Sequence, residues 1–377
     1  MRFGAVPYQD WARAYQGRVR YDLSNSGMPE IDLRAYAAAS AAVLEPGPGP
    51  HAPAPLALLA DSYGLPESAF CAVGGASAAI FVVCATLLSP NDAAIVETPC
   101  YEPVALVPQA LGARVARLER AFEAGYAIDW EGLDALVAAH RPRLLALTHL
   151  HNPSGVALDD GALDRLARLA EREDLHVFLN TVYADATLGP ALCLAARSPR
   201  FIVGSSLTKV YGLGSLRYGW VACTDAAVAL ALRHTHDHIM VGHARPSEAF
   251  AEQAIRDRER LRGALHARAR EGMPLVERWV SETRGVSWVP PHAGILAFPR
   301  LPDGIDTLAL SDLLRTEYET LVSPGEFFGA PGHVRIGVAR GPEVVREGLS
   351  RLTAALERTR SRAPRSSQPA ASARRVQ

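Results

Sequence analysis

Between about residue 70 and residue 223 the chain repeats one pattern, and that repetition constrains its fold more than any other feature. A short apolar run is followed by a polar turn and then by a stretch with helical spacing. The β-like runs are Ala93–Glu97, Ala113–Leu118, Leu144–Leu150, His176–Asn180, Phe201–Ser205 and Gly219–Cys223. Between two of them Leu163, Leu166 and Leu169 fall on one helical face, with Arg and Glu on the other. Runs that are apolar at nearly every position belong to strands buried on both faces. The pattern therefore predicts an α/β fold, a mostly parallel sheet sandwiched by helices. In such a sheet the reactive groups lie at the carboxyl ends of the strands.

The flanks read differently. Residues 1–44 place Trp11, Tyr15 and Tyr21 in a short helix, followed by the turn-rich Leu23–Pro29. The Pro-Gly alternation of Glu45–Pro55 excludes helix and central strand, so it forms a stiff loop, and a helix follows at Leu56–Tyr63. Val73–Ser77 leads directly into an apolar helix ending at Leu88. From Ala226 to Trp279 the spacing is helical and charged, Arg256–Arg260 being a solvated face. A strand at Gly294–Phe298, a helix at Leu308–Glu319, a loop at Ser323–Gly329, a strand at His333–Val338 and a helix at Val344–Glu357 make a smaller α+β domain. The expected organisation is an N-terminal segment, 1–44, joining the small domain, a large domain at 45–240, the small domain at 241–360 and a disordered tail at 361–377.

Acidic and basic side chains nearly cancel, to a formal charge of −1, which argues against nucleic acid or an anionic membrane as partner and leaves a small molecule. The cysteines at 71, 84, 100, 193 and 223 are odd in number, far apart and set in apolar runs, with no CxxC pair. They read as buried thiols in a reducing compartment. The start of the chain lacks the apolar core of a signal peptide, and Ala78–Leu88 is too short to span a bilayer, so the expected location is the cytoplasm.

Among 39 basic side chains Lys209 is the sole lysine. A neutral amine attacks carbonyls, which a guanidinium does not. Around it stand Ser206, Arg217 and the glycines 212, 214 and 219. A hydroxyl, a permanent cation and backbone freedom beside a unique amine suit an aldehyde cofactor that bears a phosphate. Val73–Ser77 adds a helix N-terminus, where the amide groups of Gly75, Ala76 and Ser77 form an anion cradle.

In their order and spacing these motifs resemble the fold-type I, pyridoxal-phosphate-dependent class I/II aminotransferases, over nearly the whole chain apart from the tail. The resemblance implies the aspartate aminotransferase-like fold, pyridoxal 5'-phosphate as cofactor, an α-amino acid and a 2-oxo acid as substrates, and a homodimer. Tyr101, in Thr98–Pro103, matches the aromatic ring laid against the cofactor ring. Asn152, in Thr148–Gly155, would hydrogen-bond the cofactor's phenolic oxygen, which Tyr183 would share. Ser77, Ser206 and Arg217 would hold the phosphate. Lys209 would form the Schiff base and later move the proton, with Arg217 and burial favouring its neutral amine. Arg335, in His333–Gly337, matches the arginine that grips a substrate carboxylate, with Asn152 and Gly27 lining the same place.

Asn180 departs from the family. The run Asn180-Thr-Val-Tyr183 puts a carboxamide where similar enzymes hold the pyridine nitrogen with an aspartate, so the ring loses a counter-ion. A second departure is the partner-subunit tyrosine, in whose place His51 lies among Pro and Gly. His234 and His238 have the spacing of metal ligands on one helical face, yet no third ligand follows at a persuasive spacing, and no metal is assigned. Local phrasing at Tyr21–Gly27, His151–Gly155, Gly294–Arg300 and Val322–Gly329 is similar to the capreomycidine synthase subgroup. Those enzymes act by elimination and cyclisation on a modified arginine in specialised metabolism, so the similarity implies β-elimination and cyclisation, or replacement, on an amino acid as the alternative to transamination. Asn180 motivates another, a pyridoxal-phosphate-binding protein with little catalysis.

Overall fold

The computed structural model describes residues 3–36, 43, 54–188 and 193–362. The strands are β1 (Tyr21–Asp22), β2 (Phe70–Val73), β3 (Ala93–Thr98), β4 (Arg114–Glu119), β5 (Leu144–Thr148), β6 (His176–Asn180), β7 (Phe201–Ser206), β8 (Gly219–Cys223), β9 (Leu296–Ala297), β10 (Thr320–Leu321), β11 (Ser323–Pro324) and β12 (Val334–Gly337). Seven of them form one sheet in the order β2-β8-β7-β6-β5-β3-β4. The five from β7 to β4 run parallel, and β8 is antiparallel to both of its neighbours. β5, β7 and β8 are buried at every position. The edge strand β4 turns Arg114 and Glu119 to solvent, which keeps an exposed edge charged.

Several covering helices begin at an aspartate. Asp129, Asp159, Asp225 and Asp306 each accept from main-chain N–H groups in the first turn of the helix that follows. The helix Ala76–Leu87 has no such cap, and Gly75 before it sits at φ 89°. The register explains where this uncapped end lies. Ser206 and Val73 both pair with Gly219, so the ends of β2 and β7 meet at one edge of the sheet.

A three-stranded antiparallel sheet, β11-β12-β9, and a parallel pair, β1-β10, stand apart from the large sheet. The first strand of the chain thus pairs near its end, Tyr21 with Thr320. Residues 23–31 lace this part to the large sheet: Leu23 O accepts from Gly337 N at 2.7 Å, Met28 N donates to Lys209 O at 2.8 Å and Ile31 N donates to Gly212 O at 2.9 Å.

Tyr21 lies in β1, not in the first helix, α1 (Pro7–Tyr15), because the turn at Gly17 intervenes. β5 stops at Thr148 and frees the following residues for a turn. The helix expected from Leu56 starts at Ala54 with Pro55 in its first turn, where a missing N–H removes no bond. Ser323–Gly329 contains β11 and a turn of 3-10 helix rather than loop alone, and the last helix, Pro342–Arg362, outruns its expected end. His51, most of the Pro-Gly run and the tail beyond Arg362 lie outside the described residues. Among the described residues no helix is long and apolar enough to cross a membrane.

Gly337 tests the lacing. A Cβ there would stand 1.9 Å from Asn25 O. We predict that Gly337→Ala lowers unfolding stability by about 2–3 kcal/mol, read as a fall in the urea midpoint. An unchanged midpoint would show that the segment gives way without loss.

Candidate active site

Lys209 follows β7 and is half-buried under the N-terminal segment. A Cβ on Gly27 would lie 3.3 Å from both Cα and Cδ of Lys209, so the close approach leaves little room for any side chain there. The ammonium donates to Ser26 Oγ at 2.8 Å. Burial pushes its pKa below the ordinary lysine value, and the cations Arg335 and Arg217 push the same way, against Tyr8. Burial and the two cations favour the neutral amine, and the net direction is downward despite Tyr8.

The other expected anion-binding groups gather at the junction of β2, β7 and β8. Gly75 is packed so tightly on Arg217 that a Cβ would stand 2.4 Å from Nη2. Arg217 itself sits at φ 50° and, among the described residues, donates only to carbonyls, Gly74 O at 2.9 Å and Gly214 O at 3.3 Å. Ser206 is fully buried, its hydroxyl accepting from Thr208 N at 3.3 Å. Ser77 is exposed at the uncapped helix start.

The ring-facing candidates follow the ends of β3, β5 and β6. The Tyr101 hydroxyl accepts from Gln9 Nε2 of α1. Asn152 is buried, and its Oδ1 accepts from Arg335 Nη1 at 3.1 Å. The Tyr183 hydroxyl donates to Ser26 O at 2.9 Å, and burial raises its pKa to about 12, so it stays a donor. Asn180 is buried at the end of β6, and its Oδ1 accepts from Val182 N at 3.3 Å; among the described residues its amide N–H groups have no partner. Asp185 faces away: it accepts from the Tyr211 hydroxyl.

Arg335, on β12, is 1% exposed. Besides Asn152 it donates to Tyr8 Oη at 2.6 Å and more distantly to Ser24 O and Ser323 Oγ, while Nε has no partner among the described residues. Its guanidinium carbon lies 4.6 Å from the Phe328 ring centroid.

Tyr8, Gln9 and Ser26 were not legible in the sequence, because α1 and the following segment reach the cleft only through long-range packing. A second unread group is buried beneath. Glu97 and Arg120, both fully buried, form an ion pair at 2.8 Å, and Glu97 also accepts from Thr148 N. Arg120 Nε donates to Tyr126 O at 2.7 Å. His151 bonds Pro99 O through Nε2 at 2.8 Å and meets Ser154 Oγ through Nδ1 at 2.6 Å. A carbonyl only accepts, so Nε2 carries the proton and Nδ1 takes the serine's. Burial and Arg120 hold the ring neutral. This network pins the segments that carry Tyr101 and Asn152. A charge ending each of the apolar runs at β3 and β4 is the signal that could have found it.

His234 and His238 are exposed, and among the described residues no group of His, Cys, Asp or Glu is arranged to hold a metal.

Lys209, Arg217 and Arg335 thus bring three cations together, and among the described residues none has a carboxylate partner. With the uncapped helix start, the cleft is rich in donors and short of anions. A phosphate-bearing aldehyde at Lys209 and a carboxylate at Arg335 fit that imbalance.

The chain matches the family model for aminotransferase class I and II over residues 20–352. An arginine–pyruvate transaminase of Pseudomonas aeruginosa is 30% identical over 74% of this chain and 72% of its own length. Capreomycidine synthase of Streptomyces vinaceus is 26% identical over 93% of both chains. A crystal structure of a pyridoxal-phosphate-dependent aminotransferase from Streptococcus suis superimposes with a TM-score of 0.87, at 23% identity, over 95% of this chain and 99% of that one, which establishes the shared fold.

As the only lysine, Lys209 can be titrated by its reactivity. Acetylation of the apo protein, followed at the Lys209 peptide by mass, is predicted to rise with pH at a midpoint below the ordinary lysine value. Arg217→Met should move that midpoint upward, since removing a cation favours the ammonium. A midpoint at the ordinary value in both proteins would contradict the described surroundings.

Proposed function

Because this chain belongs to the class I and II aminotransferase family, we propose that it carries pyridoxal phosphate on Lys209 and transfers an amino group between an α-amino acid and a 2-oxo acid. The observation that carries the reading is the chain's one lysine, inside the matched segment, in a cleft whose cations lack anions. The bound cofactor supplies an electrophilic carbon and an electron-accepting ring. Lys209 anchors it and, once released, moves the proton at the substrate α-carbon. Gly75, Ala76 and Ser77, with Ser206 and Arg217, take the phosphate. Tyr101 lies against the ring, Asn152 and Tyr183 bond its phenolic oxygen, and Asn180 meets its nitrogen with a neutral amide. Arg335 binds the carboxylate, with Asn152 and Gly27 beside it.

We also propose the division into an N-terminal segment at 1–44, a large domain at 45–240 and a small domain at 241–360. The enzyme would act as a homodimer, and its five free cysteines support a reducing compartment such as the cytoplasm.

A second reading is elimination and cyclisation on an amino acid. It is favoured by the similarity to capreomycidine synthase, which spans more of the chain than that to the transaminase.

Incubation with pyridoxal phosphate and reduction with borohydride should give one adduct, on the Lys209 peptide; an adduct elsewhere, or none, defeats the first claim. Next come single turnovers with a panel headed by arginine, whose pairing with pyruvate names one relative. Stoichiometric 2-oxo acid and pyridoxamine phosphate support transfer. A product that keeps its nitrogen supports cyclisation, and no reaction with any amino acid supports a binding role. Asn180→Asp is predicted to raise the rate of α-proton removal at least tenfold, because a restored counter-ion worth ~1.4 kcal/mol at the transition state gives that factor. An unchanged rate would show that Asn180 does not limit the chemistry.

A further inference from the structure

Tyr8 is 6% exposed on α1, its ring packed against Trp11, Tyr101, Phe327 and Phe328 at centroid distances of 5.8–6.1 Å. Its main-chain N–H donates to Glu102 Oε2 at 2.8 Å, which fixes the start of the helix over the cleft. Its hydroxyl oxygen accepts from Arg335 Nη2 at 2.6 Å and, weakly, from Gln16 Nε2 at 3.5 Å. A phenol has two lone pairs and one proton. The lone pairs are engaged, and among the described residues nothing accepts the proton. The neighbours repeat the imbalance. Among the described residues Arg335 Nε–H is unpartnered, and Asn152, whose oxygen is engaged by Arg335, keeps its N–H groups. Donors converging in one place call for a ligand that only accepts, and an ionised carboxylate is that group.

We propose that Tyr8 is a substrate-contacting residue that sets specificity for the ionised carboxylate: a carboxylate docked on Arg335 accepts a further hydrogen bond from the Tyr8 hydroxyl. The proposal rests on Arg335 being the carboxylate site, and it adds the donor that distinguishes a carboxylate from an amide. It also explains why α1 lies across the cleft, since the helix then contacts the substrate.

Tyr8 faces Arg335 from β12, Lys209 after β7, Tyr183 after β6, Tyr101 and Glu102 after β3, and Gln16 from its own helix. Burial raises its pKa, but Arg335 and then Lys209 more than offset that, and the net direction is below an ordinary phenol. A phenolate cannot donate and repels a carboxylate. Affinity should therefore fall as pH rises through the Tyr8 pKa, and a bound carboxylate should raise that pKa in return.

The test is calorimetric titration of propionate into the pyridoxal-phosphate-loaded protein, at neutral and alkaline pH, for wild type, Tyr8→Phe and Arg335→Lys. Tyr8→Phe is expected to bind propionate about tenfold more weakly at neutral pH, the size of one hydrogen bond to a charged group, and to lose most of the alkaline decline. Propionamide should bind both proteins equally poorly. Ultraviolet titration of the apo protein should show one tyrosine ionising early, absent from Tyr8→Phe and delayed by saturating propionate. Binding by Tyr8→Phe within twofold of wild type with the same pH profile overturns the proposal. So does an early tyrosine that propionate does not move, a readout that needs no variant. If Arg335→Lys loses affinity while Tyr8→Phe does not, only the role of Tyr8 falls. If Arg335→Lys binds like wild type, the carboxylate site itself is misassigned.

Discussion

The structure turns on an unanswered charge. Lys209 and Arg335 share one cleft with Arg217 at its margin, and what meets them is neutral: the hydroxyls of Ser26 and Tyr8, the amide of Asn152, and carbonyls of residues 24, 74 and 214. Removing a charge from water without a counter-ion is costly unless dipoles replace the lost solvation. Here they replace it in part, and the remaining cost surfaces as the depressed pKa of Lys209, the one cation of the three able to discard its proton. The same imbalance that makes the cleft electrostatically expensive favours the neutral amine at Lys209 and gives the walls a field that attracts anions. Beneath the cleft, by contrast, the buried Glu97 and Arg120 answer each other's charge.

Holding such a cleft requires backbone rather than side chains at the closest approaches. The N-terminal segment runs between the small sheet and the Lys209 loop, and Gly27 and Gly337 mark where it touches each. Gly75 does the same for Arg217. Each glycine is explained by what would collide with a Cβ, and together they show that the two halves of the molecule are joined through residues 23–31, against which Lys209 packs.

The repeated β-like runs made the parallel sheet legible, because strands buried on both faces lose their alternation and leave a plain apolar signature, as at Leu144–Thr148. The reversed direction of β8 was not legible, since Gly219–Cys223 is as apolar as its neighbours and direction depends on connection. In the cleft, the groups named by chemistry were readable: a unique lysine, a glycine-rich helix start, an arginine on a late strand. Tyr8 and Ser26 were not, for they lie 201 and 183 positions from Lys209 in a chain where only folding brings them near, and nothing in their local sequence marks them. The Glu97–Arg120 pair shows an intermediate case, two charges at strand ends whose partnership needs the β3–β4 register to be known.

Asn180 belongs to the same electrostatic argument. A carboxylate at that position could accept from Val182 N–H as the amide oxygen does, and would bring one negative charge into a cleft of three cations. The amide keeps the backbone bond and withholds the charge. With no protein anion there, the Lys209 amine is driven further toward its neutral form, and a phosphate and a carboxylate meet a field that nothing else offsets. On the proposed assignment Asn180 would offer the cofactor nitrogen an N–H donor instead of an anion, which would favour its unprotonated form and make the ring a weaker electron acceptor. The substitution therefore exchanges electron-withdrawing power for a stronger hold on anions. A chemistry limited by positioning its substrate would tolerate that exchange, whereas one limited by removal of the α-proton would not.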